Sequence, residues 1–296
     1  IMRYTSGRAF RQALESRLKD IARKENIPLV RLRKQISFER FMARLQSVHP
    51  DTWILKGGLA MQLRLGTQSR TTKDVDLLNN ELSGDIYASL VEAASLNMGD
   101  WFAFEVGQED KAPQDAFGGH RYHVRCLLDG RVFEAFHVDV GVGDLLVDNF
   151  DYLHFAALLD FADIASIEVP CYPITQQIAE KLHALTRQYE SGGSTRVKDF
   201  VDILLLAGLA DIEGTMLSEA IRSTFEVRKT HPLPQEMPAL SKTIRREYTR
   251  LAKELDLSFA KFDAAEKALA EFVNPVFSSN TLGIWEANNW RWREPE

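Results

Sequence analysis

The sequence predicts a small mixed α/β core flanked by helical regions, a fold of the α/β (α+β) class. Apolar residues recur every three or four positions near the start, and short apolar or alternating runs fill the middle. Helical periodicity returns beyond about residue 165. The 296 residues are 45% hydrophobic and 26% charged, as in ordinary globular proteins. We expect a basic helical region at 1–50, the α/β core at 51–165 and a helical lobe at 166–296, in one bilobed chain.

The first region carries an excess of positive charge. Its first predicted helix has Phe10, Leu14, Leu18 and Ile21 on one face, and its second runs from about 29 to 45. Residues 1–45 hold twelve Lys or Arg and four Asp or Glu, a net +8, so the chain's net −6 leaves −14 for the remainder. This segment is either a footprint for RNA or an acidic partner, or a solvated helical face, and the sequence leaves both open.

The middle of the chain predicts strands separated by tight turns. An apolar run at 53–56 is typical of a strand, and the pair Gly57-Gly58 predicts a turn into a helix through 59–65. The alternating segment 73–78 predicts the next strand. A helix is expected at roughly 84–96, followed by strands at 102–106, 122–128 and 134–140.

The last region is predicted to be mainly helical. Helices are expected from about 175, at 197–206 and onward to about 272, with a glycine-rich loop at 190–195 and a proline break at 231–234. The tail contains Trp285, Trp290 and Trp292, which cap either the core or an interface. No apolar run approaches the ~18 residues of a membrane span. Cys126 and Cys171 fit two free thiols, so we expect a cytoplasmic protein.

Two acidic residues on the second predicted strand indicate a metal site. Asp74 and Asp76 are two positions apart, so on a strand they face the same way, with Cα atoms about 7 Å apart. Two carboxylates on one face repel unless a cation lies between them, and Mg²⁺ (or Mn²⁺) prefers one or two carboxylates plus waters and phosphate oxygens. The Gly57-Gly58 turn adds backbone N–H groups at a helix N-terminus, where phosphate binds. Together these features predict a site for a nucleotide and its metal.

A third carboxylate lies on a later predicted strand. Asp139 has apolar residues on both sides, and an isolated buried carboxylate is costly unless it is paired or bound to a metal. Next to Asp74 and Asp76, it would complete a set that holds two metals at the attacking and leaving oxygens of an in-line displacement. It would act as a metal ligand or as a base that accepts the proton of the attacking hydroxyl. The alternative for Asp139 is an ion pair to a core arginine.

These residues resemble the signature of the nucleotidyltransferase superfamily, in which Gly-Gly or Gly-Ser precedes an Asp-x-Asp or Asp-x-Glu strand and a third carboxylate follows. More narrowly, the chain resembles the AbiEii family of nucleotidyltransferase toxins over roughly residues 50–235. The supporting segments are LKGG at 55–58, RTTKDVD at 70–76, QIAEKLHA at 177–184, VKDFVD at 197–202 and FEVR at 225–228 followed by His231-Pro232. Many relatives have serine where this chain has Gly58, so one side-chain contact to phosphate is missing here.

The resemblance implies roles for residues that spacing alone would assign to a helical salt-bridge face. It makes Lys181 a clamp for the leaving pyrophosphate and Asp202 its ion-pair partner. Lys56 and Arg70 are further candidates for phosphate contacts, and His183 is expected to be structural. The active site is expected in the cleft between the core and the C-terminal lobe.

The resemblance also implies a toxin that adds nucleotides from a nucleoside triphosphate to an RNA end, namely the 3′ acceptor end of tRNA, and so blocks translation. An AbiEi-like antitoxin would be encoded alongside it. An enzyme that modifies a small aminoglycoside-like alcohol uses the same core and stays open, because residues 46–296 are acidic. A nucleotide-binding module without catalysis is a third alternative, against which the three carboxylates argue.

Overall fold

The structure is a computed structural model that describes residues 3–80, 84–110, 119–143, 146, 148–187, 196–278 and 283–294. The loop predicted at 190–195 lies outside these residues. The chain forms two compact units, residues 1–143 with 150–171 and residues 144–149 with 172–296. Within the described ranges, no helix is both long enough and apolar enough to cross a membrane.

The first unit combines helices with a seven-stranded sheet. Its helices are α1 (Gly7–Glu25), α2 (Leu29–Val48), α3 (Gly57–Leu65) and α4 (Ile86–Ser95), with 3-10 turns at Gly66–Gln68 and Asp160–Ala162. Its strands are β1 (Trp53–Lys56), β2 (Asp74–Asn79), β3 (Phe102–Asp110), β4 (His120–Leu128), β5 (Arg131–Val142), β6 (Asp151–His154) and β7 (Glu168–Cys171). Each helix and strand predicted for this part of the chain is present, which confirms the α/β class.

The sheet places β2 near its centre. The strand order is β3-β4-β5-β2-β1-β7-β6, with β2 antiparallel to β1 and parallel to β5. Strand β7 lies parallel to β1 and antiparallel to β6. Strands β6 and β7 are absent from the sequence-based predictions, because each has only four residues and Pro170 interrupts the β7 pattern.

Helices α1 and α2 cover one face of this sheet. Phe38 of α2 packs edge-on against Phe136 of β5, with ring centroids 5.0 Å apart, and Phe10 of α1 packs in the same way on Phe102 at 6.0 Å. The apolar residues of β2 and β5 alternate with polar ones, so burying the apolar set against the helices turns the polar set to the opposite face. That opposite face carries the predicted carboxylates.

Part of the basic charge of the N-terminal region is buried. Arg40 and Arg44 each place a guanidinium nitrogen 2.8 Å from the carboxylate of Asp100, and Arg31 donates to backbone carbonyls that follow α3. Burial alone would raise the pKa of Asp100, but the hydrogen bonds and charges of Arg44 and Arg40 lower it. These three arginines therefore support the fold, and only the remaining basic residues of the segment are available to a partner.

The second unit is mainly helical, as predicted. It also contains a small sheet that the sequence did not predict. Its helices are α5 (Ile174–Thr186), α6 (Val197–Ala207), α7 (Gly214–Arg228), α8 (Lys242–Glu254) and α9 (Phe262–Ser278). Strands β8 (Ile212–Glu213), β9 (Ile284–Glu286) and β10 (Arg291–Arg293) pair in the order β10-β9-β8. Strands of two or three residues are too short to show a period in the sequence.

The tryptophan-rich tail caps the core of the second unit. Trp285 is fully buried, and its indole N–H donates to the carbonyl of Ala207 at 2.7 Å. The indoles of Trp290 and Trp292 donate to carbonyls of α9 at 3.1 and 3.0 Å. A buried indole needs such an acceptor, so all three rings are used within the unit. Of the two alternatives left by the sequence, the structure supports the core cap.

Candidate active site

The predicted carboxylates lie in one row across the sheet of the first unit. Asp76 on β2 is paired with Lys56 on β1 and with Asp139 on β5. Asp139 is paired in turn with Arg121 on β4. Residues paired across strands face the same side of a sheet, and Asp74 shares that side because it lies two positions before Asp76. The structure therefore brings the three carboxylates together, while their roles stay predictions.

The glycine turn between β1 and α3 lies directly against Asp76. Gly57 has a φ of +62°, and a Cβ atom added there would lie 2.0 Å from Oδ2 of Asp76. The N–H of Gly58 donates to the same oxygen at 3.3 Å. Glycine supplies both the left-handed backbone and the room for this approach. The turn is thus fitted to the carboxylate, at the N-terminus of α3 where a phosphate group is expected.

Thr72 fills the space beside the second glycine of the turn. A Cβ atom added at Gly58 would lie 2.7 Å from Oγ1 of Thr72, which is buried and donates to the carbonyl of Asp74 at 3.2 Å. A serine at position 58 would collide with this threonine unless Thr72 moved. The departure of Gly58 from the family pattern therefore has a steric reason in this chain.

Arg121 is a part of this site that the sequence did not reveal. Its Nε and Nη2 atoms donate to the two carboxylate oxygens of Asp139 at 2.6 and 2.7 Å, and Nη2 lies 3.5 Å from Oδ2 of Asp74. The hydrogen bonds with Asp139, and then its charge, raise the pKa of Arg121 in spite of partial burial. The side chains of this pair are 22% and 23% exposed, so the ion pair anticipated as the alternative for Asp139 exists, but outside the core.

Two histidines extend the same face of the sheet. His137 precedes Asp139 by two positions and places Nδ1 3.5 Å from Oδ1 of Asp74 and Nε2 3.9 Å from Oδ2 of Asp110. The ring of His123 lies 5.4 Å from that of His137. Asp74 therefore lies between two candidate hydrogen-bond donors, Arg121 and His137.

The electrostatics of the row favour a cation beside Asp76. Burial, and then the adjacent charge of Asp139, raise the pKa of Asp76 to about 6, while Lys56 and the N–H of Gly58 act in the opposite direction. Asp76 is half-buried, and burial together with the charge of Asp139 disfavours its ionised form more than Lys56 and the N–H of Gly58 favour it. An additional positive charge nearby would stabilise the ionised carboxylate. The protein by itself thus leaves negative charge at this point incompletely neutralised.

The donor set fits a hard divalent cation that shares its ligands with a substrate. Mg²⁺ ordinarily takes one or two carboxylates and completes its shell with waters and phosphate oxygens, which Asp74 and Asp76 allow. In the described part of the chain, no three Asp, Glu, His or Cys side chains are gathered closely enough to hold a metal on their own. Both oxygens of the third carboxylate, that of Asp139, are engaged by Arg121.

Lys181 and Asp202 lie in the second unit, where they form the expected ion pair. Nζ of Lys181 lies 2.6 Å from Oδ2 of Asp202 and 3.5 Å from Oδ1 of Asp199. The lysine side chain is 10% exposed, and that of Asp202 is 3% exposed. Helices α5 and α6 thus hold the ammonium group in one orientation, although its contact with a phosphate stays a prediction.

His183, on the same helix as Lys181, has the structural role expected for it. Its Nε2 lies 2.9 Å from the hydroxyl of Thr230, and its ring packs edge-on against Phe225 at 4.9 Å. Burial, followed by the charge of Arg228, lowers the pKa of His183 to about 3. The ring is therefore neutral at physiological pH and joins α5 to the end of α7.

Lys56 and Arg70, the other predicted phosphate contacts, both lie in the first unit. Lys56 lies at the end of β1, next to Asp76 in the register. Arg70 is partly buried in the connection between α3 and β2, and its contact with phosphate stays a prediction. A period of two would have placed His137 on the face of Asp139 from sequence alone. Arg121 carries no such signal, because its partner depends on the register between β4 and β5.

A mixed sheet with a Gly-Gly turn against one carboxylate and a further carboxylate on the adjacent strand defines the class of nucleotidyltransferases. The family model described as "Nucleotidyl transferase AbiEii toxin, Type IV TA system" matches residues 40–271. The chain belongs to the AbiEii family and is a nucleotidyltransferase toxin of a type IV toxin–antitoxin system. Enzymes of this kind use a nucleoside triphosphate and a divalent metal, and the toxin has an antitoxin partner. The resemblance stated from the motifs is confirmed.

Two solved structures are similar to this chain. MenT4, a nucleotidyltransferase toxin from Mycobacterium tuberculosis, is similar with a TM-score of 0.50 and 15% sequence identity, over 88% of this chain and 99% of its own. JHP933 from Helicobacter pylori has a TM-score of 0.40 and 16% identity, over 80% of this chain and 97% of its own. At these identities the likeness to MenT4 concerns the fold alone. No curated protein matches the chain.

Proposed function

We propose that this toxin transfers a nucleoside monophosphate from a nucleoside triphosphate to the 3′ end of an RNA, namely the acceptor end of tRNA, and thereby blocks translation. One observation carries the chemistry: Asp76 and Asp139 are paired in register on adjacent strands, with the glycine turn against Asp76. The RNA acceptor is supported by exposed basic residues on α1, such as Arg8 and Lys19, which suit a polyanionic backbone. The action is proposed to occur in the cytoplasm, with an AbiEi-like antitoxin as the partner.

The residues of the carboxylate row have separate roles in this reaction. The N–H groups of the glycine turn would bind phosphate oxygens. Asp74, Asp76 and Asp139 would hold Mg²⁺ (or Mn²⁺), which would supply positive charge to neutralise the phosphates. The oxygen of the 3′ hydroxyl forms a bond to the α-phosphorus, and the bond from that phosphorus to pyrophosphate breaks. The hydroxyl proton is accepted by Asp139 or by water, and pyrophosphate leaves.

The contact between Arg121 and Asp139 sets a condition on this mechanism. Asp139 becomes available as a ligand or a base only when the guanidinium exchanges its partner. A triphosphate offers a suitable one, because arginine binds phosphate oxygens in the same bidentate manner as carboxylate oxygens. Arg121 is therefore proposed to move from Asp139 toward phosphate when the substrate binds.

Lys181 is proposed to bind the leaving pyrophosphate, with Asp202 as its orienting partner. The assignment is supported by the resemblance of the segments at 177–184 and 197–202 to the family and by the ion pair that orders the lysine. Lys181→Met is expected to raise the KM for the triphosphate and to lower kcat, because the anionic leaving group loses a positive charge. Lys198→Met, a lysine on the neighbouring helix α6, is the matched control. Equal kinetic constants in the two variants would return Lys181 to a structural role.

The test of the proposed function uses purified protein, Mg²⁺, each α-labelled nucleoside triphosphate in turn, and total tRNA. Label is expected on the 3′ end of tRNA with the intact protein, and at least about 100-fold less with Asp76→Ala. Glu105→Ala, which removes an exposed acidic residue of β3 that is paired in register with Arg125 and not with the carboxylate row, is expected to retain the activity. Thermal unfolding of each variant checks that the fold is kept.

The result also separates the alternative acceptors. Labelled tRNA with the wild type but not with Asp76→Ala supports both the acceptor and the metal site. Label on an alcohol of the aminoglycoside class instead of tRNA would overturn the RNA acceptor and keep the nucleotidyltransferase chemistry. Wild-type turnover in Asp76→Ala would overturn the proposed metal site.

A further inference from the structure

A concave basic pocket lies in the first unit, and no residue of the carboxylate row lines it. Its volume is about 410 Å³, and it is lined by residues of α1, α2 and the start of β5: Arg11, Gln12, Glu15, Lys19, Arg33, Arg131, Val132 and Phe133. The α1 residues at positions 11, 15 and 19 follow one another at intervals of four, so they form one stripe of the helix. Arg131 follows the tight turn that joins β4 to β5.

The lining has four positive charges and one negative charge. Within the described ranges, Arg11, Lys19 and Arg131 make no ion pair with an acidic residue. Arg33 is ion-paired with Glu15, and its Nε is buried without a hydrogen-bond acceptor in the described part of the chain. The pocket therefore has an excess of three positive charges and unused donors that an anion would satisfy.

This arrangement differs from the rest of the basic segment. The guanidinium groups of Arg40 and Arg44 donate hydrogen bonds to Asp100, and that of Arg31 donates to backbone carbonyls. Lys34 contacts Glu134 at 3.3 Å. Three other basic residues of the segment, Arg11, Lys19 and Arg33, line one concavity, to which the hairpin of β4 and β5 contributes Arg131.

We propose that this pocket binds consecutive phosphates of the RNA substrate and so fixes the body of the RNA on the toxin. Arg11 and Lys19 are eight residues apart, which separates them by about 12 Å along a helix. That span exceeds one phosphate group and suits a polyanionic backbone better than a single small anion. Val132, which is 57% exposed at the rim, and the cation–π contact of Arg33 with Phe133 at 5.9 Å add surface that a sugar or a base can cover. This inference rests on the proposed RNA acceptor.

The experiment measures RNA binding without catalysis. Fluorescence anisotropy of labelled tRNA is recorded across a range of salt concentrations, in the absence of a nucleoside triphosphate, for the wild type and for the triple variant Arg11→Gln, Lys19→Gln, Arg131→Gln. The control is Lys24→Gln, Lys242→Gln, Lys253→Gln, which removes the same charge from exposed positions away from the pocket. Circular dichroism and thermal unfolding of both variants check that they are folded.

The pocket variant is expected to bind tRNA at least about tenfold more weakly at low salt, with the slope of log K against log salt reduced by roughly two to three. The control is expected to keep the wild-type slope. Glu15→Gln, which removes the acidic residue of the pocket and frees Arg33, is expected to bind a few-fold more tightly.

Two outcomes would overturn the proposal, and a third separates it from the proposed function. Equal slopes for the wild type and the pocket variant exclude phosphate binding there, even if the wild type labels tRNA in the transfer assay. Equal losses in the pocket variant and the control show only a general effect of net charge. If the wild type binds tRNA and the pocket variant does not, yet no label is transferred, the pocket is supported and the proposed RNA acceptor chemistry fails.

Discussion

Replacing Gly57 with alanine tests how closely the glycine turn is fitted to Asp76. The new Cβ atom would lie 2.0 Å from Oδ2, 2.5 Å from Cγ and 2.7 Å from Cβ of Asp76. Rotation of the Asp76 side chain about its Cα–Cβ bond moves Oδ2 and Cγ but leaves Cβ in place, so the backbone of the turn or of β2 must also move. Alanine at a φ of +62° costs about 1–2 kcal/mol, and the overpacking adds about 1–3 kcal/mol.

Gly99→Ala supplies the control for this variant. Gly99 is exposed and has a φ of +67°, and a Cβ atom added there would meet nothing within 4 Å. Alanine at this position therefore introduces a positive φ without the collision, and Gly57→Ala should be less stable than Gly99→Ala by about 1–3 kcal/mol. Because a displacement of about 1 Å at a reacting site lowers the rate by about 100-fold, Gly57→Ala should lose at least this much nucleotide transfer. Gly99→Ala should keep the wild-type rate.

The assay combines urea unfolding with the initial rate of pyrophosphate release. If Gly57→Ala is as stable as Gly99→Ala and transfers nucleotides at the wild-type rate, the close approach between the turn and Asp76 is not part of the site. If both variants lose the same activity, backbone strain and not the collision explains the loss. Only a selective loss in Gly57→Ala supports the reasoning from the structure.

Two further predictions concern the charges of the row in the absence of metal. Burial and Asp139 raise the pKa of Asp76 from 3.8 to about 6, so the folded state binds this proton more tightly, and the free energy of unfolding falls as pH rises through this interval. In EDTA, Asp76→Asn should remove this dependence of the unfolding free energy on pH, and at pH 7 the variant should be more stable than the wild type by at most about 3 kcal/mol. Urea unfolding measures both proteins across this pH range, and parallel pH profiles would contradict the prediction. Arg121→Gln should lower the unfolding temperature of the metal-free protein, because Asp139 loses its ion-pair partner. The increase in unfolding temperature that Mn²⁺ produces should be larger in this variant, because the cation no longer competes with the guanidinium for Asp139. An unchanged Mn²⁺-induced increase would refute this competition.

The sequence by itself determined the elements that present the chemistry. Glycine at 57 and 58 after an apolar run specified a strand that turns into a helix, and the period of two placed Asp74 and Asp76 on one face. These are local properties, since they depend on backbone preferences and on which side of one strand a residue occupies. The helical character of the second unit followed from local periodicity in the same way. The family followed from the spacing of short motifs, and the family model confirms it.

Only the tertiary structure decided what surrounds each of these residues. The pairing of Asp139 with Asp76 on one side and with Arg121 on the other is set by the register of strands far apart in sequence, which no local pattern encodes. The filling of the space beside Gly58 by Thr72 is likewise a contact across a loop. The contacts of the basic N-terminal segment are likewise set by the tertiary structure, although its net charge can be counted from the sequence. Some arginines of this segment donate to Asp100, and others line the basic pocket. Which of these two environments an arginine occupies depends on its burial, which is established only when the helices pack on the sheet.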